Sequence, residues 1–214
     1  MRALLLPTLA LLTAGASAQT VLPTSYAMPN GYGVANGGSF NYWDARYSGS
    51  GDRLQDYAPL SGGLGDLTDG VIATQRWEQV ENLDGTGPYV GWNKGEPWLI
   101  TFEFASSQSF HTVTVWHDDA NGFGDIAPPA AFTVTVGGVT QRFEVVDPPG
   151  DAPFASVLTL APGMVGHQLV LGVERFSNGV MLSEVQFTAA VPEPSAALLL
   201  AAGLAALRLR RGRA

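Results

Sequence analysis

The chain contains no cysteine. Disulfides, thiolate metal sites and thiol nucleophiles are therefore excluded, and packing has to hold the fold together. Positive charge is scarce as well. Eleven Lys and Arg stand against 19 Asp and Glu, and five of the eleven (Arg2, Arg208, Arg210, Arg211 and Arg213) lie at the two ends. The body between the ends, counting Glu193, is left with six basic residues and a net charge near −13. Such a surface repels phosphates, which argues against nucleic acid as a partner. It suits solubility, calcium or neutral ligands.

Catalytic patterns are thin. The three histidines, His111, His117 and His167, have no zinc-like spacing. Ser48-Gly49-Ser50-Gly51 lacks the outer residues of a nucleophile elbow. Carboxylate pairs abound, but in so acidic a chain they single out no glycosidase. The expectation is a protein that is not an enzyme, with a glycoside hydrolase as a third reading. Internal repeats and helical periods are also missing from the body.

Long apolar runs occur only at the ends, and there they are short. Met1-Arg2 is a minimal basic start, residues 3–14 are apolar, and Ala16-Ser17-Ala18 fits a signal-peptidase site. Residues 1–18 are thus read as a signal peptide, with mature protein from Gln19. At the other end stand Val191-Pro192-Glu193-Pro194, then Ser195, an apolar run over 196–207, and Arg208, Arg210, Arg211 and Arg213. The prolines end the preceding fold. The Ala/Leu run favours a helix, and terminal arginines stay on the cytoplasmic side of a membrane. About a dozen apolar residues are fewer than the ~20 of a comfortable span.

This order of parts resembles the PEP-CTERM sorting signal of Gram-negative bacteria, over residues 191–214. The resemblance implies a sorting motif at Pro192, Glu193 and Pro194 and a cytoplasmic stop at the four arginines. It further implies a short transmembrane helix over 196–207, and exosortase and signal peptidase as partners. The protein would be held briefly in the inner membrane, then reach the cell surface or be secreted.

Residues 19–190 have the size of one domain and can bury a core. Residues 19–64 are rich in Gly, Tyr, Asn and Ser and read as long loops, with one or two strands around 40–43. Tyr26, Tyr32, Tyr42, Trp43 and Tyr47 either cover a sheet edge or form a sugar-stacking surface. From Trp98 the pattern is that of strands: 98–104, 110–116, 132–136, 141–146, 154–160, 168–173 and 180–187. Val113 and Val115 share one face, Thr112, Thr114 and Trp116 the other. Gly137-Gly138 offers a tight hairpin turn. Many short strands with Gly/Pro turns predict an all-β fold, an antiparallel β-sandwich or jelly roll.

Leu67-Thr68-Asp69-Gly70, then Thr74 and Trp77, Glu96-Pro97-Trp98, and late in the chain Leu182-Ser183-Glu184-Val185 together resemble a discoidin-like, galactose-binding-like sandwich, over about 64–187. In the family's calcium-binding members the matching positions hold one structural calcium. The resemblance therefore implies Asp69, Thr74 and Glu184 as ligands, with the carbonyls of Asp66 and Ile72. The family places Trp two residues after the Thr, whereas Gln75-Arg76 separate Thr74 from Trp77 here. Residues 118–125 depart from an EF-hand, because His117 stands where the first Asp belongs and Pro128 where the last Glu belongs. They read as a loop between strands. Sugar-binding members meet ligands at loops, so Tyr89, Trp92, His117 and Asp119 are the candidate ligand residues, with extracellular polysaccharide as partner. Trp98 and Trp116 are assigned to packing. The alternative is a structural or adhesion protein of the extracellular matrix without a sugar pocket.

Overall fold

The computed structural model describes residues 18–93, 97–175, 179–190 and 203. The signal peptide (apart from Ala18), the sorting motif, the apolar run (apart from Gly203) and the terminal arginines lie outside them. Among the described residues no helix is long and apolar enough to cross a membrane. Thr20–Ala189 packs as one compact unit.

The strands are β1 (Ala18–Val21), β2 (Ser25–Pro29), β3 (Pro59–Gly63), β4 (Val90–Asn93), β5 (Trp98–His117), β6 (Ala131–Val136), β7 (Val139–Glu144), β8 (Phe154–Thr159), β9 (Val165–Glu174) and β10 (Gly179–Ala190). The one α-helix among the described residues, α1 (Trp77–Val80), is a single turn.

The 20-residue strand β5 organises both layers. Its first part pairs with β2 and β9, and β9 continues through β6 to β7. Its second part pairs with β10 and β8, and β10 also takes β4. All these pairings are antiparallel. The predicted strands 98–104 and 110–116 are thus one strand crossing from one sheet to the other. The predicted sandwich is the observed fold.

Alternation explains the core. Val113 and Val115 are buried, whereas Thr112, Thr114 and Trp116 are half-buried, so one face of β5 points inward. Phe102 of the first layer meets Phe187 of the second edge-to-face at 4.8 Å, and Phe104 meets Phe187 at 5.1 Å. At the hairpin after β6, Gly137 and Gly138 both take positive φ (58° and 82°), which a two-residue turn of this hand requires.

The loop expectation for 19–64 is corrected. Residues 40–43 hold only an isolated bridge, between Ala35 and Phe40, and the strands of this region are most of β1, with β2 and β3. All three precede Leu64, so the sandwich begins earlier than its discoidin-like pattern. Ser-Tyr-Ala-Met-Pro has little strand propensity; β2 forms because β5 offers a partner, with Tyr26 opposite Phe102. Tyr26, Tyr42 and Tyr47 are buried rather than stacked outside. The Tyr47 hydroxyl donates to the Tyr26 carbonyl and accepts from the Gly63 N–H at 2.9 Å. The Tyr26 hydroxyl donates to Asp44, which also accepts from the Asp66 N–H at 3.1 Å.

Candidate functional site

Beside the main core lies a smaller apolar cluster that includes Tyr42, Trp77, Tyr89, Ile126 and Met181. A cleft of about 390 Å³ opens on it. β4 supplies Trp92 and Asn93, α1 supplies Trp77, and the loop after β5 supplies Phe123, Asp125 and Ile126. Tyr32 and Tyr42 come from the segment between β2 and β3.

Ring geometry gives the cleft firm walls. Phe40 and Tyr42 meet Trp77 edge-on at 4.7 and 5.9 Å. Phe123, 58% exposed, lies nearly parallel to Trp77 at 6.0 Å. The Arg76 guanidinium sits 5.9 Å from the Phe123 ring. Gly124 makes this closure possible: a Cβ there would stand 2.4 Å from Trp77 Cζ2, and its φ is 62°.

Two polar atoms at the cleft lack partners among the described residues. Trp77 Nε1 is a buried donor and Asn93 Oδ1 a buried acceptor. Both atoms are closed off from solvent, and leaving such groups unpaired costs about 1–3 kcal/mol each.

Carboxylates lie behind the cleft. Asp118 accepts the Trp77 main-chain N–H at 3.1 Å, and Glu81 accepts that of Tyr89 at 2.9 Å. Burial pushes Asp118 up to about 7 and Glu81 up to about 8. Burial and the nearby carboxylates also raise the Tyr42 and Tyr89 hydroxyls.

The four predicted ligand residues are withdrawn from solvent. Tyr89 and Trp92 are 1% exposed, and His117 and Asp119 are 0% exposed. The Tyr89 hydroxyl donates to the Gln75 carbonyl at 2.9 Å. Trp92 lines the floor of the cleft, but its Nε1 donates to the Pro29 carbonyl at 2.9 Å. His117 continues the inward stripe of Val113 and Val115; its Nε2 is 2.9 Å from Ser156 Oγ, and burial lowers it to about 4. Asp119 accepts the Asn121 N–H at 3.1 Å. The expectation of a ligand face made of these four is therefore corrected: strand alternation and the second cluster turn them inward. The cleft is lined by Trp77, Asn93, Tyr32 and Phe123 alongside Trp92. Of these, Tyr32 stands in the tyrosine-rich stretch and Trp77 in the discoidin-like pattern, whereas no motif marks Asn93 or Phe123.

Of the three predicted calcium ligands, the fold unites two. Asp69 and Glu184 line one cavity of about 340 Å³, whereas Thr74 is exposed and outside that lining. Glu184 is 4% exposed, and its Oε2 accepts the Gly70 N–H at 3.1 Å. Burial, with Asp69 adding repulsion, raises Glu184 to about 7. A buried carboxylate beside a second one is a donor set that suits a hard cation. Of the carbonyl candidates, Asp66 is buried and Ile72 is 37% exposed. Among the described residues no three His, Cys, Asp or Glu side chains form a metal-holding group, so calcium here would draw on main-chain carbonyls and water.

Residues 23–125 match the family model described as the DS-like domain of discoidin domain-containing receptor 1/2. That stretch runs from just before β2 to the outer lip of the cleft. The fold is a mostly antiparallel β-sandwich, similar over that stretch to the discoidin-like domain of the matching model.

The solved structures that match share little sequence with this chain. The lectin binding domain of Lectinolysin, a mutant complexed with Lewis b, is 9% identical over 83% of this chain and 94% of that one, with a TM-score of 0.42. A family 32 CBM from C. perfringens NanJ, in complex with galactose, is 7% identical over 48% and 79%, at 0.34. SpGH29 is 17% identical over 59% of this chain but only 24% of its own length, at 0.38. No curated protein matches the chain.

Proposed function

We propose that this is an exported, non-catalytic module that binds a neutral carbohydrate of the cell surface or extracellular matrix in the aromatic cleft. The observation that carries this reading is a cleft walled by the aromatic rings of Trp77, Phe123 and Tyr32, with Phe123 58% exposed at its lip. Sugar rings stack their C–H faces on aromatics and present hydroxyls that both donate and accept. Net negative charge around the cleft disfavours anionic polymers. Hydrolysis of a glycoside needs two carboxyl groups flanking the bond, and the cleft lining holds one, Asp125.

Export and sorting complete the proposal. Residues 1–18 act as signal peptide, 19–190 as the exported domain and 191–214 as the PEP-CTERM signal, read by an exosortase at Pro192-Glu193-Pro194. Asp69 and Glu184 would hold a structural calcium, whose charge would join the first loop to the last strand in a protein without disulfides.

A glycan array probed with and without calcium tests the binding reading; signal on neutral glycans is expected, and silence in both conditions overturns it. Mass spectrometry of the protein from its native host tests the sorting reading. A mature chain starting at Gln19 and ending near Pro194 is expected, and an intact chain dissolved in the cytosol rejects export.

A further inference from the structure

Strand β8 lies at an edge. Among the described residues it pairs only with β5, from Thr112 opposite Thr159 to His117 opposite Phe154, without a register shift. The Leu160 N–H donates to the His111 carbonyl at 2.9 Å, which continues that ladder by one step. Hydrogen-bonded pairs alternate along an antiparallel ladder. Phe154, Ser156 and Leu158 therefore turn their main-chain groups toward β5, and Ala155, Val157 and Thr159 turn theirs away from it. The side chains of these last three are exposed, that of Val157 by 61%.

Edges of this kind are ordinarily blunted by charge, proline, a bulge or a covering loop. β7, the edge of the other layer, carries Arg142 and Glu144. β8 has none of these devices. Phe-Ala-Ser-Val-Leu-Thr holds no charge and no proline, and residues 146–152 before it are exposed. A groove of about 560 Å³ runs beside the strand, with Phe143, Val146 and Pro148 on its far wall. Its one charged lining residue, Glu144, is held by Arg142. In a body of net charge near −13 this is a neutral strip, where a second copy can approach without meeting like charge.

We propose that β8 is the edge through which two copies of this chain pair, antiparallel and about a two-fold axis at Val157. The strand is its own complement in that register. With Val157 opposite its counterpart, Ala155 stands opposite Thr159, and all three outward residues exchange main-chain bonds. Moving the axis one residue back sets Thr159 opposite Pro153, which has no N–H. Moving it one residue forward brings in Ala161, whose N–H is already taken by Gln141 Oε1 at 2.7 Å. The register also separates charge: Asp151 of either copy faces Gly163 of the other, within the uncharged run 160–166, and not its own counterpart. Two paired six-residue strands fall at the small end of specific interfaces, below about 1,200 Å², so pairing rises with concentration and is not permanent. It asks nothing of the aromatic cleft and stands apart from carbohydrate binding.

The test is sedimentation equilibrium of the full chain and of single variants. The parent is expected to dimerise below about 1 mM, and more strongly as salt rises, because the like net charges of the two bodies are then screened. Val157→Lys sets like charges opposite each other and is expected to weaken dimerisation by about tenfold or more, with the Tm kept because the side chain is exposed. Val139→Lys makes the same charge change on β7, at a side chain 49% exposed, and is expected to dimerise like the parent. The lack of cysteine supplies a second readout. Val157→Cys should cross-link to a dimer under a mild oxidant, since facing Cα atoms of a hydrogen-bonded pair stand about 5.5 Å apart, within disulfide range. Ala155→Cys, displaced from the axis, should not. A parent that stays monomeric to about 1 mM overturns the proposal. So does association that Val157→Lys leaves unchanged, or a Val157→Cys chain that cross-links no better than Ala155→Cys.

Discussion

Glu184, on the last strand, accepts a hydrogen bond at 3.1 Å from the main-chain N–H of Gly70, 114 residues earlier in the chain. This contact closes the sandwich from its end back to its beginning. It also fixes a carboxylate that burial holds at about 7.

Stability should therefore fall as pH rises toward 8. Asp66 and Glu81 are raised to about 8, and Asp118 and Glu184 to about 7. Between the unfolded and folded pKa of each acid, the folded state keeps a proton that the unfolded state has lost. Stability from these groups is thus full below pH ~4 and drains through pH 7–8. His117, lowered to about 4, works in the opposite direction, but only below pH ~6.5. Calorimetry in chelator at pH 6.5 and 8 should show a Tm lower by about 5 °C or more at the higher pH. Glu184→Gln should flatten the slope, and a Tm that climbs over this interval would contradict the buried carboxylates.

Phe123→Ala tests the aromatic wall. Phe123 is 58% exposed and lies nearly parallel to Trp77. Affinity for a bound neutral glycan should drop about three- to tenfold, the worth of one stacking face. The Tm should change by only a few degrees, because little buried surface is lost. Unchanged affinity in a titration would show that the sugar does not use this wall.

Tyr47→Phe should destabilise by about 1–3 kcal/mol, since it strands the Gly63 N–H and the Tyr26 carbonyl in the interior. Urea unfolding measures this directly. A variant as stable as the parent would mean that water replaces the hydroxyl.

Phe187→Ala should cost about 3–5 kcal/mol, because it opens a cavity between Phe102 and Phe104 at the contact of the two layers. Leu99→Ala, at a side chain 49% exposed, should cost far less. Comparable losses in the two unfolding curves would refute the assignment of inward and outward faces.

Much of the second half of the fold was legible because strand alternation is a local signal. Val113 and Val115 against Thr112 and Thr114 mark a face without any knowledge of the partner strand. The same stripe, carried one step further, already pointed His117 inward. β2 was not legible, since Tyr26 becomes part of a strand only when Phe102 stands opposite it. Of the residues expected to hold calcium, Asp69 and Glu184 line one cavity and Thr74 lies outside its lining, a placement that no spacing along the chain fixes.

Composition and local periodicity were enough to settle an acidic, cysteine-free, all-β body, because each depends on residues counted or compared with near neighbours. The cleft was decided only by tertiary structure. Trp77, Asn93 and Phe123 come from a one-turn helix, a short strand and a loop, and no spacing along the chain relates them. What brings them together is packing, and a cleft exists only once everything around it is in place.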